Sequence, residues 1–231
     1  MRSLPAHSDP VSGVDFLRDG TMVCSCAGDG LIRIWDTMTG QCLKTLVDED
    51  RKPVASVRWT ANGKFVLAWT LDGCVRLWDY REGRCVKTYQ GHVNTQYSLS
   101  GTMGTYALAG RREAFVASGS EDGEILAWDV STKEVLWRGK GHRKVVLSLD
   151  FQRGKDGKGM LVSAGLDRTI RFWEECDEVD DDDDDDDEQP ELLDGDAYVD
   201  AADENIKRLR LDEKEDVVMN GVEPKIEPEE S

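Results

Sequence analysis

Several kinds of chemistry are missing from this sequence of 231 residues. It has only three histidines, and its six cysteines, Cys24, Cys26, Cys42, Cys74, Cys85 and Cys176, show neither the paired spacing of a metal site nor the density of a disulfide scaffold. No glycine-rich loop of the kind that cradles phosphate is present, and paired carboxylates fall only in turn-like or tail sequence. No apolar run approaches the roughly 18 residues needed to cross a membrane. With no secretory leader after Met1, the chain is expected in a reducing, aqueous compartment, with no metal, cofactor or membrane attachment. Cys24 and Cys26 share one face of an alternating stretch and read as small core fillers rather than ligands.

Charge is present but unevenly placed. Residues 1–176 hold 22 acidic and 24 basic side chains, whereas residues 177–231 hold 25 acidic and 5 basic ones. The net charge of −18 therefore belongs to the tail. The body is long enough, and rich enough in Trp, Val, Ile and Leu, to bury a core. The tail is not: its run from Asp180 to Asp187 repels itself and few apolar residues offset the ordering entropy, so residues 177–231 are expected to be disordered.

The body is organised by a repeat. The stretch SGSEDGEILAWD, from Ser118 to Asp129, returns as SCAGDGLIRIWD ending at Asp36, AWTLDGCVRLWD ending at Asp79 and SAGLDRTIRFWE ending at Glu174. In each, an Asp stands six residues before a Trp: Asp29 and Trp35, Asp72 and Trp78, Asp122 and Trp128, Asp167 and Trp173. A period near 45 residues, with a turn Asp and alternating apolar residues up to Trp, is the WD40 pattern of a four-stranded propeller blade. The units are read as about 4–46, 47–89, 90–138 and 139–176, so the fold class is an all-β WD40 β-propeller of about four consecutive blades. In the third unit, Gly101 to Arg112 reads as an enlarged connection between strands that should be neighbours. No strand is expected after Trp173, because Glu174 leads straight into acid, so the last blade should lack its outer strand. Four blades form an arc with two raw sheet edges. The arc is expected to be part of a longer, truncated propeller, the rival being closure by dimerisation or by four-blade geometry.

The histidines suggest two readings. His7, His92 and His142 each precede a unit, with an Asp and a Trp downstream, and Ser25, Ser118 and Ser163 lie between them. His, Asp and Ser invite a hydrolytic reading. A site needed once would not be rebuilt at every period, whereas a hydrogen-bonded brace is needed in every blade. His7, Asp29, Trp35, Asp72, Trp78, His92, Ser118, Asp122, Trp128, His142, Ser163, Asp167 and Trp173 are therefore read as structural, with no catalytic residue assigned. The second unit, with Asp48 to Lys52 where the His should be, is expected to be less well braced.

The strings LPAHSDPVSGVDF, DGLIRIWDTMTGQCLKTL, NGKFVLAWTLDGCVRLWDY, CVKTYQGHVN and SGSEDGEILAWDVSTKEV carry a closer resemblance. They resemble the fourth to sixth blades of the WD-repeat scaffold subunit of COMPASS-type complexes, which methylate histone H3 at lysine 4. The resemblance implies a partial arc of a seven-bladed ring, and a non-catalytic scaffold that binds methyltransferase-complex subunits and arginine-containing peptides such as the histone H3 tail. It implies two surfaces. One is a channel pocket at Ser12, Tyr97 and Ser98, where Ser100 and Gly28 replace aromatics, so that a guanidinium would be stacked on one face at most. The other binds an acidic and apolar partner segment at Asn62, Phe65, Leu77, Lys87 and Ser131. For Leu77 and Phe65, ordinary packing within a blade is an equally good reading.

The tail admits two readings: attraction of basic partner proteins, and plain solubilisation. Its short basic cluster, Ile206 to Arg210, is a weak signal that reads either as nuclear import or as a nascent helix with Leu209 and Leu211, and the nucleus is the expected location, with the cytoplasm as a second one. A nearly neutral body and an acidic tail disfavour direct nucleic-acid binding. The expected function is assembly of a histone H3 lysine-4 methyltransferase complex, the alternative being a WD40 adaptor of another assembly such as a ubiquitin ligase or signalling scaffold.

Overall fold

The computed structural model describes residues 3–108, 111–155, 157–175 and 211–213. Within them lie four four-stranded antiparallel sheets and no helix. The first sheet contains β1 (Val11–Phe16), β2 (Met22–Ala27), β3 (Leu31–Asp36) and β4 (Cys42–Val47), and the second β5 (Val54–Trp59), β6 (Phe65–Thr70), β7 (Cys74–Asp79) and β8 (Arg84–Gln90). The third contains β9 (Gly101–Leu108), β10 (Arg111–Gly119), β11 (Glu124–Asp129) and β12 (Val135–Lys140). The fourth contains β13 (Val146–Arg153), β14 (Gly159–Gly165), β15 (Ile170–Glu175) and β16 (Leu211–Glu213). In each sheet the strands neighbour one another in chain order, as in a propeller blade.

Period-two alternation gives every blade two faces, and both are apolar in the interior of the arc. The forward face of the first blade, Cys24, Cys26, Ile32, Ile34 and Leu46, packs on Val57, Trp59, Val66, Ala68 and Trp78 of the second. Leu67, Trp69, Val75, Leu77 and Tyr89 then meet Val116, Leu126 and Trp128, and Phe115, Ala117, Ile125 and Ala127 meet Val146, Leu149, Leu161 and Trp173. The core is thus three successive face-to-face interfaces. Burial in the first of them pushes the Cys26 thiol up to about 11, and Cys24 is raised by the same cause, which leaves both as unreactive apolar filler.

A turn glycine fixes the spacing between blades. Gly30, Gly73 and Gly123 follow the repeated Asp and adopt φ of 75°, 70° and 89°. A Cβ there would come 2.6, 3.0 and 2.7 Å from the carbonyl oxygens of Arg51, His92 and His142, the residues that lead into the next blade. Only in the fourth blade does a side chain stand at this position, Arg168 with φ of 67°.

Three expectations need correction. Gly101 to Arg112 is not an enlarged connection: Gly101–Leu108 is itself a strand, paired residue for residue with β10 from Leu108↔Arg111 to Gly101↔Ser118. The alternation that buries Thr102 and Tyr106 carries it. The fourth blade does not lack an outer strand, because Leu211–Glu213 pairs antiparallel with Trp173–Glu175 from beyond the acidic run. A strand need not follow its neighbour directly in sequence, so no motif next to Trp173 announced it. Finally, the arc ends in bare sheet faces rather than raw strand edges, since blades stack face to face. The other tail residues, and the disorder expected of them, lie outside the described residues, as does Cys176.

Candidate functional site

The repeated polar residues form a different brace in different blades. In the first, His7 Nδ1 lies 3.1 Å from Asp29, its Nε2 lies 2.8 Å from Ser25 Oγ, and Trp35 Nε1 donates to the same Oγ at 2.8 Å. The fourth repeats this with His142 and Asp167 at 3.0 Å, His142 and Ser163 at 2.8 Å, and Trp173 donating to Ser163 at 2.9 Å. With the indole N–H fixed on the serine oxygen, the chain of donors runs from Trp to Ser, from Ser to His and from His to the carboxylate. Burial works against the charge on Asp29, yet backbone N–H groups of Leu31 and Ser8 and the His7 ring hold its carboxyl below the usual range. Asp167 is lowered likewise, by Thr169, the Arg143 N–H and His142 acting against burial.

This Ser–His–Asp arrangement has the connectivity of a hydrolytic triad but not its access. Ser25 and Ser163 are buried, and each hydroxyl oxygen already accepts an indole N–H. A nucleophile has to be reachable by an incoming carbonyl, and burial beneath the indole denies that approach. The geometry serves to tie the Trp of strand three to the His before strand one, across the whole blade.

The second blade substitutes an ionic brace. Arg76 donates to Asp72 at 2.7 Å and to Thr70 Oγ1 at 2.5 Å, and its guanidinium lies 3.0 Å from Asp48, in the connection out of the first blade. Against the opposing effect of burial, Arg76 and Thr70 hold Asp72 down to about 2. Trp78 Nε1 has no hydrogen-bond partner, so Trp78 takes no part in this polar chain. Sequence reading missed Arg76, although an Arg four residues after Asp72 and acid in place of the His were both visible.

The third blade does not assemble its brace. Neither nitrogen of His92 has a hydrogen-bond partner, and its ring lies edge-on to Trp128 at 5.5 Å. Trp128 Nε1 donates instead to the Gln90 carbonyl at 2.9 Å, Ser118 Oγ donates to the Gly119 carbonyl, and Asp122 accepts from the Glu124 N–H. Spacing explains this. Val11 and Val146 open their strands four residues after His7 and His142, whereas Gly101 opens its strand nine residues after His92. The intervening residues are drawn away by Glu121, whose carboxylate accepts the N–H groups of Thr95, Gln96 and Tyr97. Burial pushes His92 down to about 4, so its imidazole is neutral at pH 7.

The two surfaces inferred from resemblance are placed as follows. Lys87 Nζ donates to the Ser131 carbonyl at 2.6 Å, bridging the second and third blades. Asn62 Oδ1, in the turn after β5, accepts from Thr60 and Lys64. Leu77 is buried in the core between these blades and Phe65 packs against that core, so Leu77 offers no area to a partner. Ser12, on the innermost strand, donates to the Val54 carbonyl at 2.6 Å, while Tyr97 and Ser98 stand exposed in the segment held by Glu121. Arg58 and Asp150, from β5 and β13, meet at 2.9 Å across the inner side of the arc. Among the described residues there is no group of three or more His, Cys, Asp or Glu suited to a metal, and no helix long and apolar enough to cross a membrane.

The repeats match the family model described as WD domain, G-beta repeat, at residues 1–36, 40–79, 83–129 and 133–174. Nuclear distribution protein PAC1 of Fusarium vanettenii is 43% identical over 63 residues, which are 27% of this chain and 14% of that protein. COMPASS component SWD3 of Saccharomyces cerevisiae is 48% identical over 54 residues, 22% of this chain and 17% of that protein. The matched stretches therefore span less than a fifth of these relatives' length. Among solved structures, the crystal structure of the computationally designed Ika4 protein superposes with a TM-score of 0.57 at 27% identity, covering 74% of this chain and 94% of that one.

Proposed function

Because this chain belongs to the WD domain, G-beta repeat family, whose propellers serve as interaction scaffolds, we propose that it helps assemble a histone H3 lysine-4 methyltransferase complex in the nucleus. The observation that carries this reading is the 48% identity to COMPASS component SWD3. Its partners are then methyltransferase-complex subunits and the histone H3 tail, with the acidic tail attracting basic segments. An acidic partner segment would lie at the Lys87 and Ser131 bridge, which puts a cation at the seam of two blades. Its contact area has to come from residues other than Leu77.

A second reading, an adaptor in another assembly, is favoured by the PAC1 match, which extends over a longer stretch than the SWD3 match. The test is co-purification of the tagged full chain from nuclei followed by identification of its companions. Recovery of methyltransferase subunits in fixed ratio supports the proposal, and recovery of a different set of stoichiometric companions replaces it with the second reading.

A further inference from the structure

The two ends of the arc are the unmated halves of the interface that occurs three times inside it. At the first internal interface, Val57 and Trp59 of the second blade are 2% and 7% exposed. Their equivalents in the first blade, Val14 and Phe16, are 67% and 65% exposed. On the opposite face, Ile32 and Ile34 of the first blade are 2% and 0% exposed, whereas their equivalents in the fourth, Ile170 and Phe172, are 65% and 46% exposed. Val162 and Ala164 lie half-buried on that same face by strand pairing. One end thus presents a rear face and the other a forward face, the two kinds that mate within the chain.

Charge points the same way. Arg76 on the rear face of the second blade is answered by Asp48, supplied from the preceding blade. Arg33 occupies the equivalent place on the bare rear face of the first blade, and its buried Nε has no hydrogen-bond partner. The rear end is therefore short of both an apolar cover and an acceptor, which is what a preceding blade provides to the second.

We infer that these faces are covered by a second copy of the chain, with Val14 and Phe16 of each copy seated on Ile170 and Phe172 of the other, closing two arcs into one two-fold ring of eight blades. A rear-to-forward contact used twice closes under two-fold symmetry and leaves no bare face, whereas the same contact without closure would propagate as a filament. One adjustment is required: by analogy with Gly123 and the His142 carbonyl, the Cβ of Arg168 would hold the incoming His7 segment a few tenths of an ångström further out.

The test is the solution mass of the full chain by light scattering and sedimentation, with two double variants, Val14→Glu/Phe16→Glu and Ile170→Glu/Phe172→Glu. Wild type is expected at twice the chain mass, and each variant, with its circular dichroism unchanged, at the monomer mass, the dissociation constant rising at least a hundredfold. Mixing the two variants should restore a dimer, because one intact rear face then meets one intact forward face. A monomeric wild type, a species larger than a dimer, or either variant remaining dimeric would overturn the inference. So would a mixture that stays monomeric.

Discussion

Arg76, in the third strand of the second blade, sits 3.0 Å from Asp48 in the connection leaving the first, so one guanidinium fastens a blade to its predecessor. Replacing Arg76 with Met leaves Asp48 and Asp72 facing each other without a cation. The expected loss is about 2–3 kcal/mol, below that for a fully buried pair because Asp48 is partly open to solvent. Asp48→Asn should cost clearly less, since Asp72 keeps its partner. Asp72 has its folded pKa depressed, so the stability it adds is present above its unfolded value near 3.8 and is lost as pH falls through about 2. Urea denaturation of the three proteins between pH 7 and pH 2 checks both statements, and Arg76→Met should show the flatter acid limb.

Ser25, Ser118 and Ser163 occupy the same place in the repeat but differ in what they hold. Ser25 and Ser163 each join a Trp to a His, whereas Ser118 reaches only the Gly119 carbonyl. Ser25→Ala and Ser163→Ala orphan a buried indole N–H and an imidazole nitrogen, and should each cost about 1–3 kcal/mol. Ser118→Ala should cost well under half of that. Equal losses at all three positions would show that burial of the hydroxyl, not the brace, sets the energy.

His92 gives the fold an acid sensitivity. Its folded pKa of about 4 lies below the ordinary value of 6.5, so the unfolded chain takes up the proton first. Stability from this group is fully present above pH 6.5, declines as pH falls, and is lost once pH passes about 4, for a total of roughly 3 kcal/mol. His92→Phe keeps a ring against Trp128 and removes the titration. Its unfolding free energy should vary less between pH 7 and pH 4.5 than that of wild type, as read by tryptophan fluorescence in urea.

Lys87→Glu tests the partner surface. Where an acidic segment docks beside Ser131, reversing the charge should weaken binding at least tenfold and reduce its dependence on salt, while loss of the bond to the Ser131 carbonyl costs about 1 kcal/mol of stability. Titration of the purified chain with methyltransferase-complex subunits at two salt concentrations reads this. Unchanged affinity would remove Lys87 from the interface.

The Asp-to-Trp beat made the fold legible, because strand periodicity and turn residues are local signals. Strand bounds such as Val11–Phe16 follow directly from them. What stayed hidden depends on distance in the chain. β16 returns from beyond the acidic run, and Arg76 finds an acid in another blade. His92 shows a third limit. It has the sequence context of His7 and His142, but five further residues before its strand separate it from Ser118 and Asp122, and a motif match cannot register such a displacement. Leu77 carried two readings that the sequence could not separate, and its burial between blades decides for packing.

The turn glycines test how closely successive blades must approach. Gly123 and Gly20 both have positive φ, 89° and 73°, so alanine at either meets a similar backbone penalty of about 1 kcal/mol. Their surroundings differ. A Cβ on Gly123 would lie 2.7 Å from the His142 carbonyl oxygen, whereas one on Gly20 would meet nothing within 4 Å. Gly20→Ala should therefore lose only the backbone part. Gly123→Ala has to push the third and fourth blades apart as well, loosening the packing of Ala117 and Ala127 on Val146, and should lose about 2–4 kcal/mol. Thermal unfolding of the two variants reads the difference, and equal losses would mean that the seam between blades yields freely at the turn.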